Sequence, residues 1–592
     1  MTVEKLITDH IDIWSSALQT RSTAGRGSNG KIDLYGIKKL RELILELAVR
    51  GKLVPQDPND EPASELLRRI AAEKAELVKQ GKIKKQKPLP EISEDEKPFE
   101  LPGGWEWSSI QNLCLLENGD RSKNYPNKST LTETGVPFVN AGHLLNGKID
   151  EKEMTFIKES HFETLRSGKF LPGDILFCLR GSLGKSALVG NISGAIASSL
   201  VIVRVYPLVN NKYVHFYFDS PISYQFIKKY DNGTAQPNLA ANDLARFLIP
   251  VPPVDEQTRI LGKIDDLMSL CDQMEQQSLT SLDAHQQLVE TLLATLTDSQ
   301  NAEELAENWA RISQHFDTLF TTEASIDALK QTILQLAVMG KLVPQDPNDE
   351  PASELLKRIE QEKAQLVKEG KIKKQKPLPP MSDDEKPFEL PEGWAWCQFD
   401  HIAKNEANAL KAGPFGSALK KSMYVPTGYK IYGQEQVISG DENIGDYYVD
   451  REKYESLISC KVQSGDMLIS LVGTIGKVLV LSNKCQEGII NPRLVKISLF
   501  KDVCRSYIQV VLASKLIQDE LFQESHGSTM HVLNLGLLKK LIFPLPPINE
   551  QFRIVDKINA LDLLCEHLKS CLQSAQQTQL YLADALTDAA LS

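Results

Sequence analysis

The chain has 592 residues, which at about 150 residues per domain predicts roughly four units. Its 42% hydrophobic and 24% charged residues exclude a mainly disordered or collagen-like protein, and no run approaches the roughly 18 apolar residues of a membrane span. The acidic start of the sequence does not resemble a secretory signal. Nine cysteines without a CxxC pair indicate a reducing cytoplasm, the predicted location, and argue against a disulfide framework or a structural zinc site.

The net charge of −11 argues against nucleic-acid binding when it is averaged over the whole chain, because phosphate binding requires Lys and Arg. The acid is concentrated in residues 251–389, which sum to −12. The segments on either side are close to neutral. A basic surface on each of them therefore remains compatible with the composition.

An internal repeat dominates the sequence. Residues 48–70 and 337–359 match at 21 of 23 positions, at an offset of 289, and both contain GKLVPQDPNDEPASELL. A second pair lies downstream, where IPVPPVDEQTRI at 249–260 parallels FPLPPINEQFRI at 543–554. The sequences between these anchors diverge strongly. Such an arrangement indicates two equivalent mounts that carry two different domains.

The anchors predict helices, and the motif after each divergent segment predicts a much longer one. In the first copy Ile260, Ile264, Leu267 and Cys271 alternate at spacings of four and three, as in a heptad seam. The second copy has the same pattern from Ile554 onward. Each helix should have about 40 residues and a length of about 60 Å. A seam of that length needs a partner, and an antiparallel pair of these two helices is the simplest choice, although each could instead pack on its own domain.

The divergent segments are called the first block (105–250) and the second block (394–545). Short β-type runs alternate in them with Gly and Pro turns and a few brief helices, which predicts compact, largely β domains. The predicted fold class is therefore α/β (α+β): two mixed, largely β domains separated by two long antiparallel coiled-coil helices, with duplicated helical scaffold regions.

No catalytic motif is complete in this sequence. GSLGKS at 181–186 has Leu179 where a phosphate-binding loop needs glycine, so a turn between strands is the better interpretation. NPRL at 491–494 lacks the second proline and the aromatic residue of an adenine methyltransferase. The ten histidines include no metal-type pair, and no nucleophile, base and orienting group cluster together. We therefore predict a non-catalytic chain without a metal site.

Polar residues of the kind that read base edges and bind phosphates occur in both blocks. The candidates in the first block are Arg121, Lys123, Asn124, Asn140, His143, Arg180, Ser182 and Lys185. The candidates in the second block are Lys411, Ser417, Lys420, Lys421, Gln434 and Gln436. Each of them could equally be an ordinary solvated surface residue.

Taken together, these motifs resemble the specificity subunit of type I restriction–modification enzymes. The resemblance rests on the twin PP-x-x-EQ-x-RI motifs (Pro252–Ile260 and Pro546–Ile554), the long helix after each, the paired Gly-Asp-(Ile/Met)-Leu and Gly-(Ser/Thr)-x-Gly-Lys stretches, and Gly-Thr-x-Gln at 233–236. The duplicated GKLVPQDPNDEPASELL is similar to the type IB branch. One departure is Gly-Ser-Thr-Met at 527–530, which favours a structural role for Gln236.

The resemblance implies a DNA specificity subunit that is not itself catalytic. Two target-recognition domains would each read one half of a split DNA sequence, and the long helices would set the spacing. The implied partners are double-stranded DNA, two modification subunits and two restriction subunits, with no membrane. This chain would hold no cofactor. The modification subunit would bind S-adenosylmethionine and methylate adenine, whereas the restriction subunit would use ATP and Mg²⁺.

The implied domains follow the anchors of the repeat. They are an N-terminal helical scaffold at 1–104, target-recognition domain 1 at 105–250, a long spacer helix at 251–300, a central scaffold at 301–393 that repeats the first, target-recognition domain 2 at 394–545 and a second spacer helix at 546–592. The alternative function is a bivalent protein-binding coiled-coil adaptor without DNA recognition. It explains the acidic charge but not why the blocks diverge while their mounts stay nearly identical. An enzyme is a further alternative, which the incomplete motifs disfavour.

Overall fold

A computed structural model describes residues 3–21, 31–233, 236–372, 386–471, 477–523 and 535–591. Helices and strands are both abundant, as the mixed fold class predicts. The chain forms two compact units, residues 1–281 with 575–592 and residues 282–574. Each unit contains one scaffold region, one block and parts of both long helices. In the described part of the chain no helix is long and apolar enough to cross a membrane.

The scaffold of the first unit consists of short helices. The main helix, Tyr35–Val49, buries Leu40, Leu43 and Leu47 on one face, and it ends before Gly51, which adopts a φ of +68°. A Cβ at Gly51 would lie 2.5 Å from the Pro102 ring, so this close approach requires glycine. The other elements are helices Val3–Thr8, Ile11–Ser16 and Ala63–Lys79, strands Gln19–Arg21 and Lys31–Asp33, and a 3₁₀ turn at Glu94–Glu96.

The scaffold of the second unit repeats this arrangement. Gly340 has a φ of +70°, and a Cβ added to it would lie 2.4 Å from the Pro391 ring. The same backbone requirement therefore explains why both copies keep this glycine. The helices here are Ala302–Gln314, Phe316–Leu319, Glu323–Val338 and Ala352–Lys368.

The first block is built on two sheets. The order of the four-stranded antiparallel sheet is Ser186–Leu188, Ile175–Cys178, Leu200–Val205 and Cys114–Asn118. The order of the five-stranded sheet is Lys169–Phe170, Gly194–Ile196, Val136–Val139, Thr155–Ile157 and Leu131–Thr132. Strands Glu106–Ser109 and Leu248–Val251 pair where the block begins and ends, and Leu144–Leu145 pairs with Lys148–Ile149. The helices are Ile110–Leu113, Glu159–Thr164, Asn211–Phe218, Pro221–Tyr230 and Ala241–Leu244.

The second block has corresponding sheets although its sequence differs. One sheet contains Leu410–Ala412, Leu494–Ile497, Met467–Ser470 and Val478–Val480, and the other contains Tyr448–Val449, Tyr429–Tyr432 and Gly488–Ile490. Strands Ala395–Gln398 and Ile542–Leu545 pair where the block begins and ends. The helices are Phe399–Ile402, Gln434–Ser439, Arg451–Ser456, Arg505–Ala513, Lys515–Gln523 and Leu535–Lys540. In each block the sheet other than the four-stranded one has one parallel strand pair, Val136–Val139 with Gly194–Ile196 in the first block and Tyr429–Tyr432 with Gly488–Ile490 in the second.

Two long helices follow the blocks, as the heptad seams predict. The first long helix is Val254–Asp298, with 45 residues, and the second is Ile548–Leu591, with 44 residues. Both begin within the PP-x-x-EQ motif, and Ile260, Ile264 and Leu267 are buried on the first. Each long helix begins in one compact unit and ends in the other. Their pairing as an antiparallel coiled coil stays a prediction.

Candidate nucleic-acid interface

Four connections of the first block meet at one end of its four-stranded sheet. The register pairs Asn118 with Val201 and Cys178 with Leu200, so the residues that follow Asn118 and Cys178 and those that precede Leu200 share an edge. Leu179 N–H donates to Ser199 O at 2.8 Å. Residues 140–143 adjoin this edge, because Ala197 N–H donates to Val139 O at 2.7 Å. We call the edge the first tip, and it comprises residues 119–124, 140–143, 179–185 and 197–199. All eight candidate residues of the first block lie in it.

The two outer loops of the first tip expose most of their candidate side chains. Arg121 and Lys123 are exposed in one loop, and Arg180, Ser182 and Lys185 are exposed in the other. Arg180 Nε donates to Asn238 Oδ1 at 3.0 Å, which steadies its guanidinium without burying it. Exposed cations and hydroxyls on adjacent loops are groups that bind phosphate oxygens and base edges.

A buried carboxylate fixes the loop that carries Arg121. Asp120 is 4% exposed, and it accepts from the backbone N–H groups of Ser122 at 2.6 Å and Arg166 at 2.7 Å. Burial alone would raise the pKa of Asp120, but the N–H groups of Arg166 and Ser122 lower it below its ordinary value. Asn124 is also anchored, since its amide donates to Thr164 O at 2.9 Å.

The second block forms an equivalent edge, the second tip, from residues 413–421, 433–436 and 491–493. A Cβ on Gly413 would lie 1.9 Å from Asn491 O, just as one on Gly119 would lie 2.8 Å from Ala197 O in the first tip. The Gly-Thr-Ile-Gly part of the second Gly-(Ser/Thr)-x-Gly-Lys stretch, at 473–476, lies outside the described residues. So does Gly-Ser-Thr-Met at 527–530, and Gly-Thr-x-Gln at 233–236 is described only at its two ends.

The candidates of the second block differ in accessibility. Ser417, Lys420 and Lys421 are exposed on the first segment of the second tip. Lys411 is half-buried in the strand that leads to it. Gln434 donates from Nε2 to Ser470 Oγ at 2.9 Å and accepts from Arg493 Nη1 at 3.2 Å.

Two candidates, one in each block, have the same structural role. His143 is 6% exposed, and its Nδ1 accepts from the backbone N–H of Asn140 at 3.2 Å. Gln436 is fully buried, and its Oε1 accepts from the backbone N–H of Gly433 at 2.7 Å. Asn140 itself accepts from Gly142 N–H at 2.8 Å. These side chains cap the turn that ends a strand, so the polar atoms that make these bonds are already used within the fold.

Sequence reasoning missed two exposed residues of the second tip. Arg493 lies on the turn beside Gln434, and Phe415 is 79% exposed, two residues after Gly413. NPRL at 491–494 matches an enzyme motif only in part, and that match gives no indication that Arg493 is exposed. The place of Phe415 two residues after Gly413, which is equivalent to Gly119 in the first block, could have indicated it. That equivalence becomes visible only once the strand register is known.

The motifs of the resemblance have structural explanations inside each block. Asp174 of the first Gly-Asp motif is 4% exposed and is bound by Arg204 through Nε at 2.9 Å and Nη2 at 2.7 Å. Asp466 of the second accepts from Ser498 Oγ at 2.6 Å. In the GSLGKS turn, Gly181 N–H donates to Pro237 O and Gly184 N–H to Cys178 O, so these donors are used within the chain. A turn between strands, as predicted, is what forms.

The Glu-Gln pair that begins each long helix joins three regions. Gln257 Nε2 donates to Pro252 O at 3.0 Å, and its Oε1 accepts from Asn210 N–H at 3.2 Å. Glu256 is 1% exposed and accepts from Trp105 Nε1 at 3.0 Å and from Gln56 Nε2 at 3.2 Å. We call the Glu256–Trp105–Gln56 set the first clamp.

The second copy repeats this geometry. The second clamp consists of Glu550, Trp394 and Gln345, with distances of 3.0 Å and 3.1 Å from the carboxylate to the indole and the amide. Burial raises the pKa of Glu256 and of Glu550, against the lowering effect of these hydrogen bonds. Each clamp fastens the start of a block to its scaffold and to its long helix.

Within the described residues no group of three or more His, Cys, Asp or Glu side chains is arranged to hold a metal ion. The cysteines described there are all unpaired, and burial raises the pKa of the Cys114 and Cys397 thiols well above the ordinary range. Buried neutral thiols are poor nucleophiles.

Comparison with known proteins identifies the family of this chain. The family model of the type I restriction modification DNA specificity domain matches residues 102–284 and 418–574, which include most of both tips. The chain belongs to this family. It is 50% identical over 611 residues to the type I restriction enzyme EcoAI specificity subunit of Escherichia coli and 50% identical over 612 residues to the EcoEI specificity subunit, with both chains fully covered in each case.

More distant members of the family are also similar. The EcoKI specificity subunit of Escherichia coli strain K12 is 20% identical over 80% of this chain and 86% of its own. Among solved structures, the HsdS subunit from Thermoanaerobacter tengcongensis covers 84% of this chain and 98% of its own at 18% identity, with a TM-score of 0.38. A chain of a type I R-M system has a TM-score of 0.46.

Proposed function

We propose that this chain is the DNA-recognising subunit of a type I restriction–modification complex and that it binds a bipartite DNA target, one half with each tip. One observation carries the proposal. The two tips occupy equivalent places in their blocks, but they present different exposed side chains, Arg121 and Arg180 on one and Ser417 and Lys420 on the other. Equivalent surfaces with different side chains suit two unlike half-sites.

The partners proposed are two modification subunits and two restriction subunits. Segments 54–62 and 343–351 have the same sequence and expose the same seven side chains. Core packing does not require Pro55 and Pro58 to recur as Pro344 and Pro347, since all four are exposed. Twin surfaces of this kind suit two copies of the same partner.

The chemistry belongs to these partners in our proposal. The modification subunit would hold S-adenosylmethionine and methylate adenine N6 after flipping the base, and the restriction subunit would use ATP and Mg²⁺ to cleave unmodified DNA. The chain described here would choose the sequence and the spacing, in the cytoplasm, without catalysing a step. A protein-binding adaptor would not explain why two nearly identical scaffold regions carry tips with different exposed side chains.

Exchange of one block tests the proposal directly. The full chain, with the first block replaced by that of a relative with another specificity, is expressed with its modification and restriction subunits, and methylated sites are sequenced. We expect one half of the methylated sequence to change while the other half and the spacing persist. A change in both halves, or no sequence-specific methylation by the unaltered complex, would refute the proposal.

A second experiment addresses the spacing. One heptad inserted between residues 275 and 282, in the exposed middle of the first long helix, should alter the number of unspecified bases and leave both half-sites intact. Methyl transfer by the isolated chain would instead revive the enzyme alternative.

A further inference from the structure

Phe415 is an apolar side chain that the fold leaves in water. It is 79% exposed, between Pro414 and Gly416 at the second tip. Burying an aromatic ring is favourable, and packing inside the block does not use this one. A surface that covers it on binding would gain that burial.

The loop around Phe415 is held in place from both sides. Gly413 N–H donates to Leu494 O at 2.9 Å, and a Cβ on Gly413 would meet Asn491 O at 1.9 Å. The ring of Pro414 fixes its own φ, and Phe415 O accepts from Ala418 N–H at 3.3 Å. Phe415 is therefore presented at a defined place on a fixed backbone, and ordering its two side-chain torsions costs little entropy.

Strand register identifies the residue that occupies the same place in the first block. Asn118 pairs with Val201 and Ala412 pairs with Val495, and these are the last residues of corresponding strands. Gly119 and Gly413 follow, each pressed against a backbone carbonyl oxygen of the opposite turn. Two residues further on stand Arg121 and Phe415, both exposed.

We propose that Arg121 and Phe415 hold the same base-reading position in the two blocks, and that Phe415 selects a thymine by packing on its C5 methyl group in the major groove. The inference rests on the proposed function and specifies one base that the second tip would recognise. In the major groove thymine alone presents a methyl group, and apolar side chains recognise it there, whereas arginine recognises guanine.

The difference between the two residues argues against a protein partner at this position. Two copies of one modification subunit would meet equivalent surfaces, and an arginine in one place and a phenylalanine in the other are not equivalent. Two unlike DNA half-sites have no such requirement. Arg493, exposed on the turn beside Gln434, supplies a cation close to the same loop for the DNA backbone.

The test uses the full chain assembled with its modification subunits. The DNA is an unmethylated duplex that contains the sequence which this complex methylates. Each thymine in the half-site assigned to the second block by block exchange is replaced in turn by uracil, which lacks only the methyl group. We expect a loss of affinity of about fourfold at one thymine, the effect of one buried methyl group. Phe415→Ala should bind thymine and uracil equally at that position.

Control variants distinguish a specific role of Phe415 in thymine recognition from a general loss of folding or DNA binding. Ile458→Ala, which removes an exposed apolar side chain of the second block outside the second tip, should keep the full response to uracil. Phe415→Leu, which stays apolar, should keep part of it.

Several results would overturn the inference and leave the proposed function intact. They are specific binding without any response to uracil, a half-site without thymine, an unchanged response in Phe415→Ala, and loss of the modification subunits from Phe415→Ala. Absence of all sequence-specific binding by the unaltered assembly would refute the proposed function itself.

Discussion

Removing the carboxylate of the first clamp should loosen the start of the first block. Each oxygen of Glu256 accepts one hydrogen bond, from Trp105 Nε1 at 3.0 Å and from Gln56 Nε2 at 3.2 Å. In Glu256→Ala the indole N–H is left buried and unpaired, which costs about 1–3 kcal/mol. Gln56 is exposed and can bind water instead, so we expect a total loss of about 2 kcal/mol.

Glu256→Gln should lose less stability than Glu256→Ala. Its single carbonyl oxygen can replace one of the two carboxylate oxygens, whereas its NH₂ group faces the other donor, so about 1 kcal/mol should be lost. The order of stability expected is therefore wild type, then Glu256→Gln, then Glu256→Ala.

Hydrogen exchange measured by mass spectrometry gives a local readout. Strand Glu106–Ser109 follows Trp105 directly and pairs with Leu248–Val251. A loss of about 2 kcal/mol corresponds to roughly 30-fold faster exchange of a peptide covering this strand, where exchange follows local opening. Glu550→Ala is the matched variant, and it should instead accelerate strand Ala395–Gln398.

The pH dependence has a definite sign. Because burial raises the folded pKa of Glu256, the stabilisation from this group is complete below the unfolded pKa of about 4.3 and declines as the pH rises through the folded value. The wild type should therefore exceed Glu256→Ala in free energy of unfolding by more at pH 5 than at pH 8. Equal exchange in both strands of either variant, or the opposite pH trend, would refute this account of the clamp.

Three further predictions concern the blocks. Arg204→Ala should destabilise the first unit by about 3–5 kcal/mol in urea unfolding, because it leaves the Asp174 carboxylate buried without its cation. Gly413→Ala should abolish recognition of the second half-site in methylation sequencing, since the added Cβ would fall 1.9 Å from Asn491 O. Burial lowers the pKa of His215 to about 4, so stability should fall by up to about 3 kcal/mol as the pH drops from 6.5 to 4, and His215→Leu should remove that loss.

Each of these has a control. Gly190→Ala, where an added Cβ meets nothing within 4 Å, should leave recognition unchanged. Arg204→Lys keeps a cation and should recover part of the stability, which a pure packing role of Arg204 would not produce. A wild-type acid response that persists in His215→Leu would assign that response to other groups.

Local patterns in the sequence were sufficient for the architecture of the mounts. Leu40, Leu43 and Leu47 repeat at helical spacing, and they are buried on one face of Tyr35–Val49. The seam that begins at Ile260 predicted a helix of about 40 residues, and Val254–Asp298 has 45. Helical periodicity and internal identity are properties of neighbouring residues, so both are visible without a structure.

The candidate site was only partly predictable. Residue type alone placed Arg121, Ser182 and Lys185 among the candidates, and the fold brings their loops to one edge and exposes them. The same criterion also selected His143 and Gln436, whose side chains instead cap turns. Residue type alone does not distinguish a polar side chain that hydrogen-bonds to the backbone from one that stays exposed and is available to a ligand.

The sequence by itself determined that one frame occurs twice around two unlike blocks, because identity at a fixed offset needs no folding to be read. Only the tertiary structure decided that Phe415 stands where Arg121 stands in the other block. The sequences around these two positions differ strongly, whereas hydrogen-bonded strand register still relates their backbones. Equivalent positions at the tips are therefore defined by contacts between residues far apart in the chain, and folding alone creates those contacts.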